Sequence, residues 1–175
     1  MMTCIPPLIL CRCDEKVIPG VIPVKGAPLG PLKDGELAVV FFWATWCGFS
    51  QKFLPALLAL AGSYSDIGVT FVGVTQESEE DLRYFVETYS RPSRSVNFVA
   101  DQEGLLTQGY QGAHGVKAIP HCYIIRGVKS TDSSPEIIGI VEWHGHPSRL
   151  ETALAYVLEE GEEEKEEDAA VGEER

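Results

Sequence analysis

Cys47 and Ser50 stand three positions apart in the run FFWATWCGFSQKFLP, residues 41–55, and Cys47 is the side chain best placed for chemistry. A thiol attacks only as its thiolate. The N-terminus of a helix favours that form, because unpaired backbone N–H groups and the helix dipole concentrate positive charge there. The flanking residues predict that setting. Before Cys47, LAVVFFWA at 37–44 is an unbroken apolar run, the pattern of a strand covered on both faces. After it, Phe53, Leu54, Leu57, Leu58 and Ala61 recur at helical spacing, with Pro55 among them to kink the helix. Cys47 is therefore expected to be a reactive nucleophile, with the Ser50 hydroxyl about one turn on to hydrogen-bond its sulfur.

The elements that must hold this strand and helix follow along the chain. Residues 14–36 are dense in Pro and Gly and read as an extended lead-in. VTFVGVT at 69–75 is a second buried strand. Ser78 is set as an N-cap with Asp81 three positions on, and Leu82, Phe85, Val86 and Tyr89 share one helical face. FVA at 98–100 is a short strand, followed by a short helix around 104–110. HCYIIRG (121–127) and EIIGIVEW (136–143) are antiparallel strands joined by a polar turn. A last helix is expected to be capped by Ser148, with Glu151 in capping-box position and a core face of Leu150, Leu154, Val157 and Leu158. Strands alternating with helices predict an α/β fold: a mostly parallel central sheet, a C-terminal antiparallel hairpin and helices on both faces.

A chain of 175 residues with 45% hydrophobic composition can build one domain with its own core. The boundaries read as a flexible arm over 1–16, a domain over 17–158 and an acidic tail over 159–175. Of the formal charge of −12, the tail carries −8 and the rest about −4, which leaves no basic face for nucleic acid. The tail has too little apolar surface to offset its ordering and is expected to be disordered, serving solubility or contacting a basic partner. Cys4, Cys11, Cys13, Cys47 and Cys122, an odd number at irregular spacing, do not form a disulfide framework. The opening MMTCIPPLILCRCDEK does not resemble a secretory leader, and no segment approaches a membrane span, so a reducing, cytoplasmic setting is expected. Cys4, Cys11 and Cys13 lack a nearby fourth ligand; no metal is expected there.

WATWC, residues 43–47, resembles the active-site lead-in of TlpA/ResA-like redoxins, the AhpC/TSA-redoxin type of the thioredoxin superfamily. Pro55 falls eight residues after Cys47, where thioredoxin-like helices carry their kinking proline. Ile119-Pro120 matches the superfamily's cis-proline, which lies against the active-site cysteine in those proteins. The 73 positions from Cys47 to Pro120 leave room for the redoxin branch's extra strand and helix, and VGVTQESEEDLRYF followed by VADQEG is typical of that branch. The likeness covers roughly residues 17–158. It implies a thioredoxin-like fold and a substrate groove rimmed by Trp46, Gly48 and Phe49, with Ile119 and Pro120 opposite and Gly145 at the turn before the last helix.

Two departures shape the activity this resemblance implies. The family's resolving cysteine is Ser50 here, and the buried acid six residues before the nucleophile is Phe41. The losses agree with each other, since such an acid serves the resolving step by taking that thiol's proton. What remains is a monothiol cycle: Cys47 forms a mixed disulfide with a protein or glutathione disulfide, and an external thiol such as glutathione releases it, with no bound cofactor. A redox-inactive module that holds peptides in the same groove is the alternative. Cys-Gly-Phe-Ser is also similar to the signature of monothiol glutaredoxins, which hold an iron–sulfur cluster with glutathione, although the WATW lead-in and the long spacing to Pro120 depart from that family. Peroxiredoxins place Thr three positions before the reactive cysteine, where this chain has Ala44.

Cys122, two residues after Pro120, reads either as a small buried core residue or as a substitute resolving thiol. His144 and His146 flank Gly145 and could steady the thiolate or protonate a leaving thiol; otherwise they are polar turn residues. His121 follows the expected cis-proline and is a further possible modulator, and His114 is given no role.

Overall fold

The computed structural model describes residues 21–25, 32–89, 95–129 and 137–173. Six strands form one sheet: β1 (Val21–Lys25), β2 (Leu37–Phe42), β3 (Thr70–Thr75), β4 (Val96–Asp101), β5 (His121–Lys129) and β6 (Ile137–Gly145), in the order β1-β4-β3-β2-β5-β6. β2, β3 and β4 run parallel, because the helical crossovers between them return the chain to the same end of the sheet. β1 lies antiparallel on β4, β5 antiparallel on β2, and β6 antiparallel on β5. This is the α/β, thioredoxin-like fold anticipated from the sequence.

β2 is buried at every position, and strand alternation divides it between two cores. Val39, Phe41 and Trp43 face one cluster with Leu54, Leu57, Leu82, Leu150 and Leu154, which places α1 (Gly48–Tyr64), α2 (Glu79–Thr88) and α4 (Leu150–Glu173) on that side. Ala38, Val40 and Phe42 face the other, with Val72, Val74, Leu106, Tyr110 and Tyr123. There α3 (Leu105–Thr107) and a following π-helical turn, Gln108–Gly112, cover the sheet. A fully buried Leu is worth about 1.5–3 kcal/mol, so Leu54 and Leu57 alone fix α1, and the thiol at its start, firmly against the sheet.

Several sequence expectations are met in detail. α1 contains Pro55, and Ser78 caps α2, its hydroxyl accepting from the Asp81 N–H. Others are corrected. The lead-in, expected as plain extended chain, supplies edge strand β1, where Pro23 is tolerated because an edge needs fewer ladder donors. Ser148 does not cap the last helix. The His146 ring nitrogen accepts from the Ser148 N–H and starts a 3₁₀ turn, Pro147–Arg149, before α4. Pro147 at the first position of that turn has no N–H to leave unpaired. The acidic tail, expected to be disordered, instead continues α4 to Glu173. Glu, Ala and Lys are good helix formers, and extension from a docked helix avoids the cost of nucleation. The arm over 1–16 lies outside the described residues.

Candidate functional site

The ladder between β2 and β3 ends where the Trp43 N–H donates to the Val74 carbonyl, at 3.1 Å. The chain then turns over Ala44–Cys47, the Cys47 N–H donating to the Ala44 carbonyl at 3.2 Å. Cys47 is the N-cap residue of α1, with extended backbone (φ −84°, ψ 110°), and its carbonyl accepts the first helical bond from Gln51 N–H at 2.9 Å. The strand-to-helix delivery predicted from the sequence is therefore what the backbone does.

Cys47 is half-buried, and its neighbours along the chain, Trp46 and Phe49, are 73% and 70% exposed. Its thiol points at the Ile119 carbonyl oxygen, 3.9 Å away, and the Ile119–Pro120 peptide is cis, with Pro120 buried. Burial pushes the Cys47 thiol up. Hydrogen bonds from the Ser50 hydroxyl and from the backbone N–H groups of Ser50 and Phe49 outweigh it, holding the thiol below its ordinary value. Ser50, 2% exposed, also accepts from the Ala44 N–H at 3.4 Å, so one hydroxyl touches both the turn and the thiol.

The position of the absent buried acid is filled by Phe41, fully buried and packed edge-on to Phe98 with centroids 6.3 Å apart. Its ring lies over Gly73, where a Cβ would come within 2.7 Å of it. Neither space nor polar company for a carboxylate remains. Cys122 pairs with Phe41 on one side and Gly145 on the other, in the α1-side core. It is fully buried, and burial pushes its thiol far up, which are the surroundings of a core residue. Gly145 thus stands on the strand end beside the one that follows the cis-proline.

The histidines divide at the end of β6, which closes at Gly145. His144 lies opposite Tyr123 and stacks on it (5.4 Å, 21°), and its Nδ1 is 3.1 Å from His121 Nε2. His114, given no role by the sequence, joins them. Its Nδ1 lies 2.9 Å from the Tyr110 carbonyl oxygen, and its ring is 4.7 Å from that of His144. Burial, with repulsion from His144, His114 and His146 adding, pulls His121 down to about 4; burial and then His114 lower His144. His146 points the other way, against the Phe53 ring of α1 at 4.8 Å.

Sequence reading also missed Glu77, in the β3–α2 connection, whose carboxylate receives both the N–H and the hydroxyl of Thr45 in the cysteine turn. Only an acid just past a strand end, beside another strand's turn, could have signalled it. Glu77, Gln111 and Thr75 form the polar side of a cleft of about 140 Å³ that opens beside Trp46 and Ile119. Among the described residues no three His, Cys, Asp or Glu side chains are grouped to hold a metal ion, and no helix is long and apolar enough to cross a membrane.

A family model described as AhpC/TSA family matches residues 29–129. The soluble secreted antigen MPT53 of Mycobacterium tuberculosis is 29% identical over 99 residues, 55% of this chain and 54% of that protein. The chain spans about half the length of the curated relatives it matches. Two solved structures share the fold. StoA from Bacillus subtilis superposes with a TM-score of 0.50 at 17% identity, over 79% of this chain and 99% of that one. Peroxiredoxin Q of Xanthomonas campestris superposes with a TM-score of 0.52 at 14% identity, over 73% and 81%. The matched span takes in β2, the Cys47 turn and the Ile119–Pro120 peptide together, and the chain belongs to the AhpC/TSA family, on a thioredoxin-like fold.

Proposed function

We propose that this protein is a thiol–disulfide oxidoreductase of the TlpA/ResA-like branch that works with one thiol. The observation that carries the reading is the Cys47 thiol itself. It sits at the start of α1, is lowered by the Ser50 hydroxyl and two N–H groups, and stands between exposed Trp46 and Phe49 along the chain. The Cys47 thiolate attacks one sulfur of a client or glutathione disulfide, forming a mixed disulfide. The other sulfur leaves as a thiolate and takes a proton from water. An external thiolate then attacks the client or glutathione sulfur of the adduct, forming a new disulfide there and returning Cys47 to its thiolate.

Ser50 supports the first step by favouring the thiolate, and it has no sulfur for the second. Buried Cys122 with its raised thiol does not replace the missing partner. Trp46, Gly48 and Phe49, with Ile119, Pro120 and Gly145 opposite, are read as the walls that hold an extended client segment. The proposal includes a reducing, cytoplasmic setting, because release depends on an external thiol such as glutathione. The word "secreted" in the name of MPT53 describes that relative.

Treatment with oxidised glutathione, followed by intact mass and peptide mapping, tests the reading. The expected product carries one glutathione on Cys47, and Cys47→Ser forms none at that site. Glutathione on Cys4, Cys11 or Cys13 with Cys47 unmodified would sink the enzyme reading and leave a peptide-binding module.

A further inference from the structure

We infer that Glu77 is a positioning residue for Cys47, its carboxylate tying the turn that presents the thiol to the end of the neighbouring strand. The inference rests on the reading of Cys47 as the site's nucleophile. Past the last ladder bond, from Trp43 N–H to the Val74 carbonyl, the two parallel chains part. One enters the Ala44–Cys47 turn; the other continues through Thr75 and Gln76 to Glu77. Glu77 closes the gap between them. Its Oε2 accepts from the Thr45 N–H at 2.7 Å and from the Thr75 hydroxyl at 2.8 Å, and its Oε1 accepts from the Thr45 hydroxyl.

One carboxylate therefore gathers three donors, two from the cysteine turn and one from its own strand, across 32 residues of chain. Hydrogen bonds to an ionised acceptor are about twice as strong as neutral ones. Among the described residues, little else of that strength joins this turn to the sheet. Trp46, the next residue, is 73% exposed and contributes little packing. The Gln51 side chain donates to the Thr45 carbonyl, and Ala44 N–H donates to Ser50 Oγ, but both of those bonds run to α1. Glu77 runs to β3. It sets where the turn stands relative to the sheet, and so where the Cys47 sulfur lies relative to the N–H groups of Phe49 and Ser50 and to the Ile119 carbonyl. Removing the carboxylate also strands the Thr45 N–H, which would then seek a new partner by moving the turn.

The test is the rate at which Cys47 of the full chain is alkylated by iodoacetamide as a function of pH, read by peptide mapping, with thermal melting measured alongside. In E77A, alkylation near neutral pH should slow by about tenfold, within what a displacement of under 1 Å can cost, and its pH midpoint should move up. E77Q should fall between E77A and wild type. Its amide oxygen still accepts from the Thr45 N–H, and its NH₂ can donate to a threonine hydroxyl. A folded E77A with wild-type rate and midpoint would overturn the inference, even if its melting temperature dropped, because that pattern belongs to a structural role alone. Should E77A not fold, E77D keeps the charge but draws it back by one methylene. The same slowing is expected there, and wild-type kinetics in it would overturn the inference equally. Alkylation reads the thiol whether or not the protein exchanges disulfides. A wild-type chain that forms no glutathione adduct would defeat the proposed function and leave this inference standing.

Discussion

Ser50 stands one helical turn from Cys47 and serves the thiol and the turn at once, donating its hydroxyl proton to the sulfur and accepting from the Ala44 N–H at 3.4 Å. Its burial, at 2% exposure, keeps water from taking its place. Ser50→Ala should therefore raise the Cys47 thiol and slow its alkylation near neutral pH severalfold, while leaving the fold intact. A pH profile of iodoacetamide alkylation unchanged from wild type would remove Ser50 from the site. Ser50→Cys should shorten the life of a glutathione adduct on Cys47, read by intact mass over time, because it restores an internal thiol. With Phe41 offering no acid to help, the gain should stay modest.

Cys122 should behave as a core residue. It faces the α1-side cluster between Phe41 and Gly145, fully buried, with its thiol pushed far up. Under native conditions its alkylation should be far slower than that of Cys47 and should appear only with denaturant. Mild oxidation should yield no Cys47–Cys122 bridge. Mass-spectrometric mapping that finds that bridge would make the one-thiol mechanism untenable.

The His121–His144 pair should make stability depend on pH. His121 is pulled from 6.5 to about 4, first by burial and then by repulsion from His144, His114 and His146, and His144 is lowered as well. A lowered histidine binds its proton less readily folded than unfolded. Above 6.5 both states are neutral and this pair contributes no slope. As pH falls from 6.5 toward 4, the unfolded chain takes up protons that the native state refuses, so stability is lost through that window and levels off below it. Urea midpoints across this range should fall less steeply in His121→Gln than in wild type. Parallel curves would show that the pair does not carry the effect.

Gly127 is a stability test independent of the thiol. Its N–H donates to the Glu36 carbonyl and its own carbonyl accepts from Gly35 N–H, which draws the residues before β2 onto β5. An added Cβ would meet the Lys33 carbonyl oxygen at 2.3 Å, and backbone cannot swing aside as a side chain can. Gly127→Ala should cost about 1–3 kcal/mol, the usual range for overpacking, seen as a lower urea midpoint at an unchanged slope.

Local chemistry made much of the site readable in advance. An apolar run ending in a cysteine, helical spacing after it and Ser78 ahead of Asp81 are short-range patterns, while the cis bond at Ile119–Pro120 is implied by the family resemblance. The short-range patterns act over a turn or a strand, so they determine strand, helix, cap and the place of the thiol from sequence alone, and the two-sided burial of Leu37–Phe42 follows from its composition. The tertiary structure decided whatever depends on which chain segments become neighbours. Glu77 meets Thr45 from 32 residues away because β2 and β3 lie side by side. His114, His121 and His144 meet because β5 pairs with β6 and the π-helical turn packs over Tyr123, while His146, past the end of β6, lies against Phe53 of α1. The acidic helix beyond Glu159 likewise needed a docked helix to grow from. Periodicity names the face on which a residue lies, but only strand order and register say what stands opposite it.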